Sequence, residues 1–573
     1  MKKRWMLFSL FAMTAVVAGL IHASSLQFMT DDAFISFRYA KNLVRGLGLV
    51  YNSGERVEGF TNFLWTVIVA GGMRLNFDPV NFSSTLSIAF YLGTILLYAL
   101  SSWKLFGSDE HSKLIIPLTS LALCIHHDVN VYATGGLETA MFMFMVSAGF
   151  FALLFAQTSR GFAGSGALLV LAMMTRPDGV VVLFAAALFI VLTEANAWKR
   201  LIQFLLPTVL IFVPYWIWRF LYYGYFFPNS FYAKSIDLPY YSQGFQYVAL
   251  FFKSYYVFAI IPLLGILLVA QYRSTVKESP APVRFRERMQ SLRPRGRGML
   301  LAVLLSTAYL AFIIRIGGDF MFARFLIPVT PLLYFMIEDL LSLTVTGNAR
   351  VIVAGAIVVA TFVRIDYFRD NPMLGYIADE ARYYSADQLK RAQADGAILH
   401  KYFEGRPVKV GFWAGQVKLV YYSDPAVAIE TSTGLTDTVI AHQSLATRGR
   451  PGHEKNAPFS YLLKRGVNFY IGPSSAPPEG PIPVNAIVFD KILARVIVFD
   501  ESLMEQFAQY PEVKYVRVPQ YLDSYIASFA TYTPDQVRKD FLFLDSFYLT
   551  PNNDTARRNA FLAYLSGHPG AAQ

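Results

Sequence analysis

Apolar stretches recur through the first 363 residues of this chain, and they limit the folds that it can adopt. About 20 consecutive apolar residues cross a bilayer as one helix, because a helix satisfies its own backbone hydrogen bonds in lipid. The composition agrees, since 55% of the residues are hydrophobic and only 16% are charged. The stretches lie near residues 6–24, 62–77, 84–104, 114–131, 138–157, 164–175, 178–193, 200–222, 247–271, 299–314, 324–343 and 349–363. The sequence therefore predicts an α-helical polytopic membrane protein.

The distribution of basic residues predicts the orientation of these stretches, because cytoplasmic loops are enriched in Lys and Arg. A basic N-terminus, MKKR, and the Arg-rich loop 272–298 are both expected in the cytoplasm. If every stretch crossed the membrane, that loop would fall outside, so one earlier stretch should not cross. The stretch 62–77 is the best candidate, since it is short and contains two glycines and Arg74. We therefore predict about 11 spans, additional interfacial helices, and a C-terminus outside the cytoplasm.

The N-terminal stretch also has features of a signal peptide, with KKRW followed by an apolar run to Ile21 and then small residues. We favour an uncleaved first span, because an interfacial helix and many further spans follow it. The net charge of +11 is attributed to cytoplasmic anchoring loops rather than to nucleic-acid binding. The single cysteine, Cys124, excludes an internal disulfide.

From about residue 364 the pattern becomes that of a soluble domain. Charged residues return, and alternating segments such as VKVGFWA, VNFYIG and RVIVFD are typical of short strands. Helical stretches near 378–403 and 534–549 lie between or after them. The sequence predicts a transmembrane domain over 1–363 and a soluble extracytoplasmic α+β domain over 364–573.

The first outer loop contains two adjacent carboxylates, Asp31 and Asp32, directly after the first apolar stretch. On a helical wheel Arg38 shares one face with three polar residues between 41 and 45, which predicts a helix lying in the interface with its basic side exposed. Helix capping is the structural alternative for the acids, because an acid near a helix N-terminus suits the dipole. Capping needs one acid rather than two, so the pair favours a functional role at the mouth of a span.

Further ionisable side chains interrupt or flank the apolar stretches, all on the predicted outer side. Glu58 of the first loop and Glu138 of ATGGLETAM are candidate substrate-binding carboxylates, with capping as the alternative for Glu138. TRPDG contains Arg176 and Asp178. A tight hairpin explains its proline and glycine but not both of its charged residues. Arg176 is therefore a candidate ligand for phosphate.

Two other outer motifs carry groups suited to sugar or phosphate. FFPNSFYAK supplies Asn229, Tyr232 and Lys234, although its aromatic residues also fit an interfacial belt. RIGGDFMFARFLIP places Asp319 and Arg324 beside two glycines, which allow a close approach of the backbone. A guanidinium binds phosphate through two hydrogen bonds, so Arg324 is a candidate ligand for a phosphate oxygen. A structural Asp319–Arg324 ion pair is the alternative.

Histidines give weaker signals. His126 and His127 precede Asp128, but adjacent side chains on a helix point in different directions, so we assign no metal ligand. The soluble part concentrates charged residues in GLTDTVIAHQ and RPGHEK, and His453 of the second motif is a candidate substrate ligand. Surface loops are often this polar, which is the structural alternative.

Together these motifs resemble a known family. TDDAFISFRYAKNL, GERVEGFTNFLW, ATGGLETA, TRPDG, FFPNSFYAK, GGDFMFARFLIP, GLTD and RPGHEK occur in that order and resemble the GT-C class of multi-span glycosyltransferases. Within that class the resemblance is to the AftB-type terminal β-(1→2)-arabinofuranosyltransferases of mycobacterial and corynebacterial cell walls, and it covers nearly the whole chain.

The resemblance implies a GT-C fold and a sugar donor carried on polyprenyl phosphate, here decaprenyl-phosphoryl-arabinofuranose. It implies an envelope glycan acceptor on the outer face of a bacterial inner membrane. An acid of the first outer loop is the catalytic base in such enzymes, and this corresponds to Asp31 or Asp32. Some GT-C enzymes use a divalent cation, so the need for a metal stays open.

The residues suit this chemistry. A base must take the proton of the acceptor hydroxyl, and cations must stabilise the leaving phosphate. The candidate cations are Arg324, Arg176, Lys234 and Arg38. A transporter of lipid-linked sugars is the first alternative, but it predicts inverted repeats and ionisable residues near the bilayer midplane, and neither is evident. A non-catalytic envelope scaffold is the second, and it gives no reason for the acid pair.

Overall fold

A computed structural model describes residues 2–107, 114–275 and 285–568 of the chain. These residues form two compact units that interleave along the sequence. The first consists of Met1–Leu49, Glu58–Ala386 and Ser444–Glu454, and the second of Val50–Val57, Asp387–Gln443 and Lys455–Gln573. The domain boundary predicted after residue 363 stays a prediction. The first compact unit continues to Ala386 and also includes the eleven-residue segment Ser444–Glu454.

The first unit is built mainly of helices. They are α1 (Lys2–Ser25), α2 (Asp31–Val44), α3 (Phe63–Arg74), α4 (Pro79–Phe106), α5 (Leu118–Ile125), α6 (His127–Tyr132), α7 (Thr139–Leu154), α8 (Ser159–Thr175), α9 (Gly179–Thr193), α10 (Ala197–Pro207), α11 (Val213–Tyr223), α12 (Asn229–Ala233), α13 (Tyr241–Ser254), α14 (Ile260–Thr275), α15 (Phe285–Gln290), α16 (Pro294–Ile316), α17 (Thr330–Thr344) and α18 (Gly347–Phe362). Their ends follow local chemistry. At the start of α4, for example, the Asp78 carboxylate accepts a hydrogen bond from the Asn81 amide at 2.9 Å, with Pro79 in the first turn.

Several of these helices are suited to a membrane. Among the described residues, four are long and apolar enough to cross: Lys3–Ser25, Pro79–Phe106, Ala197–Tyr223 and Pro294–Ile316. A fifth span results if Tyr241–Ser254 and Tyr256–Gln271, which meet at 93°, count as one. Shorter apolar helices include α3, α7, α9 and α18. The predicted polytopic helical architecture is confirmed, while the number of about 11 spans stays a prediction.

A small hairpin near the end of the first unit is important for the site. Strand β1 (Met373–Leu374) pairs antiparallel with β2 (Ile377–Ala378). The Ala378 amide donates to the Phe320 carbonyl at 2.7 Å, and the Phe322 amide donates to the Ala378 carbonyl at 2.8 Å. These bonds hold the residues after β2 beside the loop that joins α16 to α17.

The second unit has the predicted α+β character. Its sheet has the order β4-β3-β5-β7-β6-β8, in which β3 is parallel to β4 and β5 and the remaining pairs are antiparallel. The strands are β3 (Lys409–Phe412), β4 (Val427–Glu430), β5 (Phe469–Ile471), β6 (Ala486–Phe489), β7 (Ile492–Val496) and β8 (Val513–Tyr515). The helices are α19 (Ala386–Phe403), α20 (Val417–Ser423), α21 (Thr438–Ala441), α22 (Phe459–Lys464), α23 (Glu501–Phe507), α24 (Val518–Ala527), α25 (Pro534–Leu544) and α26 (Thr555–Gly567). The strands bury β-branched and aromatic side chains. β3, β4 and β6 are buried at nearly every position, whereas β7 alternates buried and more exposed residues, as its sequence predicts.

Cysteine labelling tests the predicted topology. Part of the basic loop 272–298 lies outside the described residues. In a Cys124→Ser background, an impermeant thiol reagent should label Ser53→Cys and Ser474→Cys in intact cells. Ser291→Cys should react only after permeabilisation, because the loop 272–298 is expected in the cytoplasm. All three serines are exposed, so a difference in labelling reports the side of the membrane. Labelling of Ser291→Cys in intact cells would contradict the orientation derived from charge.

Candidate active site

The start of α2 packs against the ATGGLETA motif. The Thr30 amide donates to the Gly135 carbonyl at 3.3 Å. Gly136 has a φ of 77°, and a side chain there would meet the Met29 sulfur at 2.3 Å. Only glycine allows this close approach without displacing a neighbour. The absence of a side chain at Gly136 therefore allows two motifs about a hundred residues apart to pack together.

Arg324 lies among three carboxylates. Its guanidinium nitrogens are 3.6 Å from Asp32 Oδ2, 3.5 Å from Glu138 Oε1 and 3.5 Å from Asp319 Oδ2. Ala323 has a φ of 63°, a conformation that costs a non-glycine residue about 1 kcal/mol or more. The strained residue sits directly before the arginine. The Asp319–Arg324 pair, which is the structural alternative for Arg324, is present, and Arg324 also lies near Asp32 of α2.

Arg176 joins the same group of charges through Glu138. Its guanidinium is 3.3 Å from Glu138 Oε1 and makes hydrogen bonds of 2.9 to 3.2 Å with Asp178. The Tyr309 hydroxyl donates to Asp178 at 2.5 Å. Glu138 also accepts a hydrogen bond of 2.8 Å from the Asn62 side chain. Arg176 is thus held by internal acids, and Glu138 lies between the two predicted phosphate ligands.

The two acids of α2 have different surroundings. Thr30 is the N-cap residue, so neither acid occupies that position. Asp31 is buried and shares a hydrogen bond with the Tyr384 hydroxyl. The Asp32 side chain is 29% exposed and faces Arg324. Tyr384 is thus one partner of Asp31, and the Arg324 guanidinium is a partner of Asp32.

A second group of charges adjoins Asp319. Glu380, which follows the β1–β2 hairpin, is 3.4 Å from an Arg450 nitrogen. The Arg450 guanidinium lies 4.9 Å from the centre of the Phe320 ring. The edge of the His453 imidazole packs on the same ring at 4.6 Å between centroids. Segment 444–454 thereby brings groups from the later sequence to the loop between α16 and α17.

His453 and Lys234, which lie far apart in sequence, lie close together in the structure. The Lys234 stem packs on Gly452, where a Cβ would lie 3.7 Å from its Cε. Burial, together with the Arg450 charge, lowers the pKa of His453 to about 4. His453 is therefore neutral near pH 7 and suits a hydrogen bond to a hydroxyl better than an ion pair with phosphate.

Glu58 forms a separate pair with Arg219 at 2.6 Å. Burial raises the pKa of Glu58 to about 7, opposed by the hydrogen bond and charge of Arg219. Arg219 also donates to the carbonyls of Tyr225 and Phe226 at 3.2 and 2.9 Å. The pair therefore ties the loop between α2 and α3 to the segment that leads into FFPNSFYAK, where Asn229 is buried and Tyr232 packs against Tyr225 and Phe231.

The exposed basic face predicted for α2 is wrong at Arg38. Arg38 and Asn42 are buried, and Arg45 is exposed. The helical wheel groups the basic residues on one face but does not show which neighbouring elements cover the helix, and here residues 33–40 are all buried. The protein covers the basic face at Arg38 but not at Arg45, so Arg38 is an interior cation whose proposed role toward phosphate stays a prediction.

Removal of Arg219 should destabilise the first unit. Arg219→Met leaves the Glu58 carboxylate buried without its cation, and breaking a buried pair from one side costs about 3–5 kcal/mol. The midpoint of thermal unfolding in detergent should fall by several degrees, whereas the exposed control Lys253→Met should retain the wild-type midpoint. Equal midpoints for both variants would show that the pair contributes little to stability.

Some residues of this arrangement were not selected from sequence. Arg219 is a lone charge in an apolar stretch, and that is a usable signal of function or of a buried pair. Asn62 lies within the GFTNFLW part of a motif but is an uncharged residue in a polar loop. Glu380 and Tyr384 follow the predicted domain boundary, where charged and aromatic residues are common. No local pattern indicates that these two return to the acids of α2.

Among the described residues, no group of three or more His, Cys, Asp or Glu side chains has the arrangement of a metal site. The three carboxylates around Arg324 already face its guanidinium. The residues as placed therefore fit an internal cation better than a divalent metal.

Comparison with known proteins identifies similar sequences and a similar fold. The chain is 29% identical over 351 residues to the terminal β-(1→2)-arabinofuranosyltransferase of Mycobacterium tuberculosis, covering 56% of this chain and 54% of that protein. It is 26% identical over 347 residues to the enzyme of the same name from Corynebacterium glutamicum, covering 55% and 48%. The chain thus matches about half the length of these curated relatives. No family model matches.

Among solved structures, ArnT from Cupriavidus metallidurans bound to undecaprenyl phosphate matches with a TM-score of 0.51 and 13% identity, over 75% of this chain and 87% of that one. This chain has the GT-C fold. The expected fold class and the resemblance to arabinofuranosyltransferases are confirmed. With its apolar helices, the GT-C fold makes this a multi-pass membrane protein.

Proposed function

We propose that this chain is an inverting glycosyltransferase that moves a sugar from a polyprenyl-phosphate donor to an envelope glycan. The observation that carries the proposal is the pairing of the acids at the start of α2 with Arg324, 3.6 Å from Asp32. One element supplies a carboxylate able to take a proton, and another supplies a cation able to receive a phosphate. The relatives named as arabinofuranosyltransferases support the reaction class.

In the proposed reaction Asp31 takes the proton of the acceptor hydroxyl. The acceptor oxygen forms a bond to the anomeric carbon while the bond from that carbon to the phosphate oxygen breaks. Inversion follows when the acceptor attacks from the face opposite the leaving group. The lipid phosphate leaves with the bonding electrons, and Arg324 stabilises its added charge. Asp32 holds Arg324 toward the reacting groups.

The remaining candidate residues fit substrate binding. Arg176 and Arg38 are the other cations proposed for the donor phosphate, with Lys234 near the segment 444–454. Glu138 orients both Arg176 and Arg324 by lying between them. The other groups proposed to contact sugar hydroxyls are Glu58, Asn229, Tyr232, Asp319 and His453.

The proposed sugar is arabinofuranose or a related sugar, and the proposed lipid is a polyprenyl phosphate. Both rest on similarity: the relatives are named for arabinofuranose, and ArnT holds undecaprenyl phosphate. We place the reaction and the second unit on the extracytoplasmic side of the bacterial inner membrane, as the charge distribution of the loops predicts.

A reconstituted assay tests the proposal. Purified protein in liposomes receives a panel of polyprenyl-phosphate sugars, with membrane glycans as acceptors, and the formation of glycosylated acceptor and free lipid phosphate is measured. Transfer from one donor supports the proposed function. Movement of the donor between leaflets without transfer would instead identify a transporter, and neither activity with any donor would contradict both.

A further inference from the structure

One hydroxyl lies between two carboxyl groups next to the proposed base. Tyr384 shares a hydrogen bond with Asp31 and another with Glu380. A phenol carries one proton and therefore donates to one carboxylate at a time. The second carboxyl group can bond to the phenol oxygen only when it donates a proton of its own. This triad, Asp31–Tyr384–Glu380, is arranged to hold and to pass a proton.

We propose that the triad is a proton relay that carries the acceptor's proton from Asp31 through Tyr384 to Glu380. The inference rests on the proposed function and extends it to two residues beyond the first outer loop. Asp31 touches the substrate in this scheme. Tyr384 and Glu380 act through Asp31 and are positioning residues rather than catalytic ones.

The steps balance without a further reactant. The acceptor O–H bond breaks, and its proton goes to the Asp31 carboxylate. Protonated Asp31 then donates to the Tyr384 oxygen while the Tyr384 proton moves to the Glu380 carboxylate. Glu380 finally releases that proton to solvent, which restores the starting state. Without such a route the proton stays on Asp31, and the base must be regenerated by direct contact with water.

The fold places Glu380 for this task. Ala378 lies two residues before Glu380. Two backbone hydrogen bonds, to Phe320 and from Phe322, hold Ala378 against the loop between α16 and α17. Glu380 is buried with Asp32 of α2 and Asp319 of the loop nearby, while Arg450 faces it from segment 444–454 at 3.4 Å. Tyr384 follows Glu380 in the chain and forms a hydrogen bond with the Glu380 carboxyl group. A short hairpin thus delivers a carboxylate from the later sequence to the acids of α2.

The charge balance around Glu380 suits a proton acceptor that works near neutral pH. Burial raises the pKa of Glu380 to about 7, and repulsion by Asp32 and Asp319 acts in the same direction. Arg450 and the Tyr384 hydrogen bond oppose this shift. Above pH 7 Glu380 is mainly ionised and can receive a proton, and below pH 7 it is mainly protonated and cannot. Transfer should therefore slow as the pH falls through about 7.

The test is the pH dependence of transfer between about pH 5.5 and 8.5, measured on the full chain in liposomes. Wild-type kcat should fall below about pH 7. Glu380→Gln and Tyr384→Phe should each lower kcat at least roughly tenfold at pH 8 and should abolish that fall, because the first removes the proton acceptor and the second breaks the route to it. Glu380→Asp restores a carboxylate and should recover both rate and pH dependence in part.

Matched controls separate the relay from a structural role. Tyr383→Phe changes the adjacent, exposed tyrosine, and Glu404→Gln changes an exposed glutamate, so both should keep the wild-type profile. Donor binding and thermal midpoints should be unchanged in Tyr384→Phe. Two results would overturn the relay: wild-type rate and profile in Glu380→Gln, or a lower rate with an unaltered pH profile. Failure of the proposed function is distinct, because wild-type protein would then transfer no sugar at any pH.

Discussion

Asp31→Asn protein is expected to bind the lipid-linked donor and to transfer sugar at least about 100-fold more slowly than wild type. An amide cannot take the proton of the acceptor hydroxyl, and general-base catalysis contributes on the order of 10²-fold or more. Asp31 is the favoured base because Asp32, the other acid of the pair, faces the Arg324 guanidinium that is proposed to bind the donor phosphate. The measurement is single-turnover transfer with bound donor, with folding checked by thermal unfolding.

Asp32→Asn is the informative comparison. Asp32 is engaged by Arg324, so its loss should alter the position of the guanidinium and raise the donor KM more than it lowers kcat. Asp237→Asn removes an exposed carboxylate of the same unit and should retain the wild-type rate. If Asp32→Asn loses transfer and Asp31→Asn does not, the roles of the two acids are reversed. If both transfer at near wild-type rates, the base lies elsewhere, and Glu58 or Glu138 is the next residue to test.

The second large effect is expected at Arg324. Arg324→Lys keeps one positive charge but loses the planar fork that binds phosphate through two hydrogen bonds. Donor KM should rise or kcat should fall at least roughly tenfold, equivalent to about 1.4 kcal/mol of transition-state stabilisation. Arg324→Gln should have a larger effect, because three carboxylates within 3.6 Å then lose their shared cation.

The control for Arg324 is Arg315→Lys, which changes an exposed arginine bonded to the Ile236 carbonyl at the preceding helix end. It should leave donor KM and kcat unchanged. Wild-type kinetics in Arg324→Lys would assign Arg324 to a structural ion pair with Asp319 rather than to the donor phosphate. The corresponding variants Arg176→Lys and Arg176→Gln should change donor KM less than the Arg324 variants do, because Asp178 already holds the Arg176 guanidinium.

Local sequence was sufficient for features that depend on neighbouring residues. The length of an apolar stretch predicts a helix that can cross a membrane, because backbone groups without hydrogen bonds are costly in lipid and few other structures avoid them. Alternation predicts the short strands of the second unit, because successive side chains of a strand face opposite sides. The adjacent Asp31 and Asp32 are found at the start of a helix, as expected, and the order of the motifs supports the resemblance that the comparisons confirm.

Pairings across the chain were decided only by tertiary structure. A hydrophobic pattern specifies which face of a helix is buried but not which residue of another segment it meets. The sequence therefore did not show that Arg219 pairs with Glu58 or that Glu138 lies between Arg176 and Arg324. The burial of Arg38 has the same origin. Asp31 could be chosen from sequence because its chemistry is visible in the adjacent residues. Glu380 could not be chosen, because its place beside the acids of α2 depends on backbone hydrogen bonds between β2 and residues 320–322, which form only when distant segments fold together.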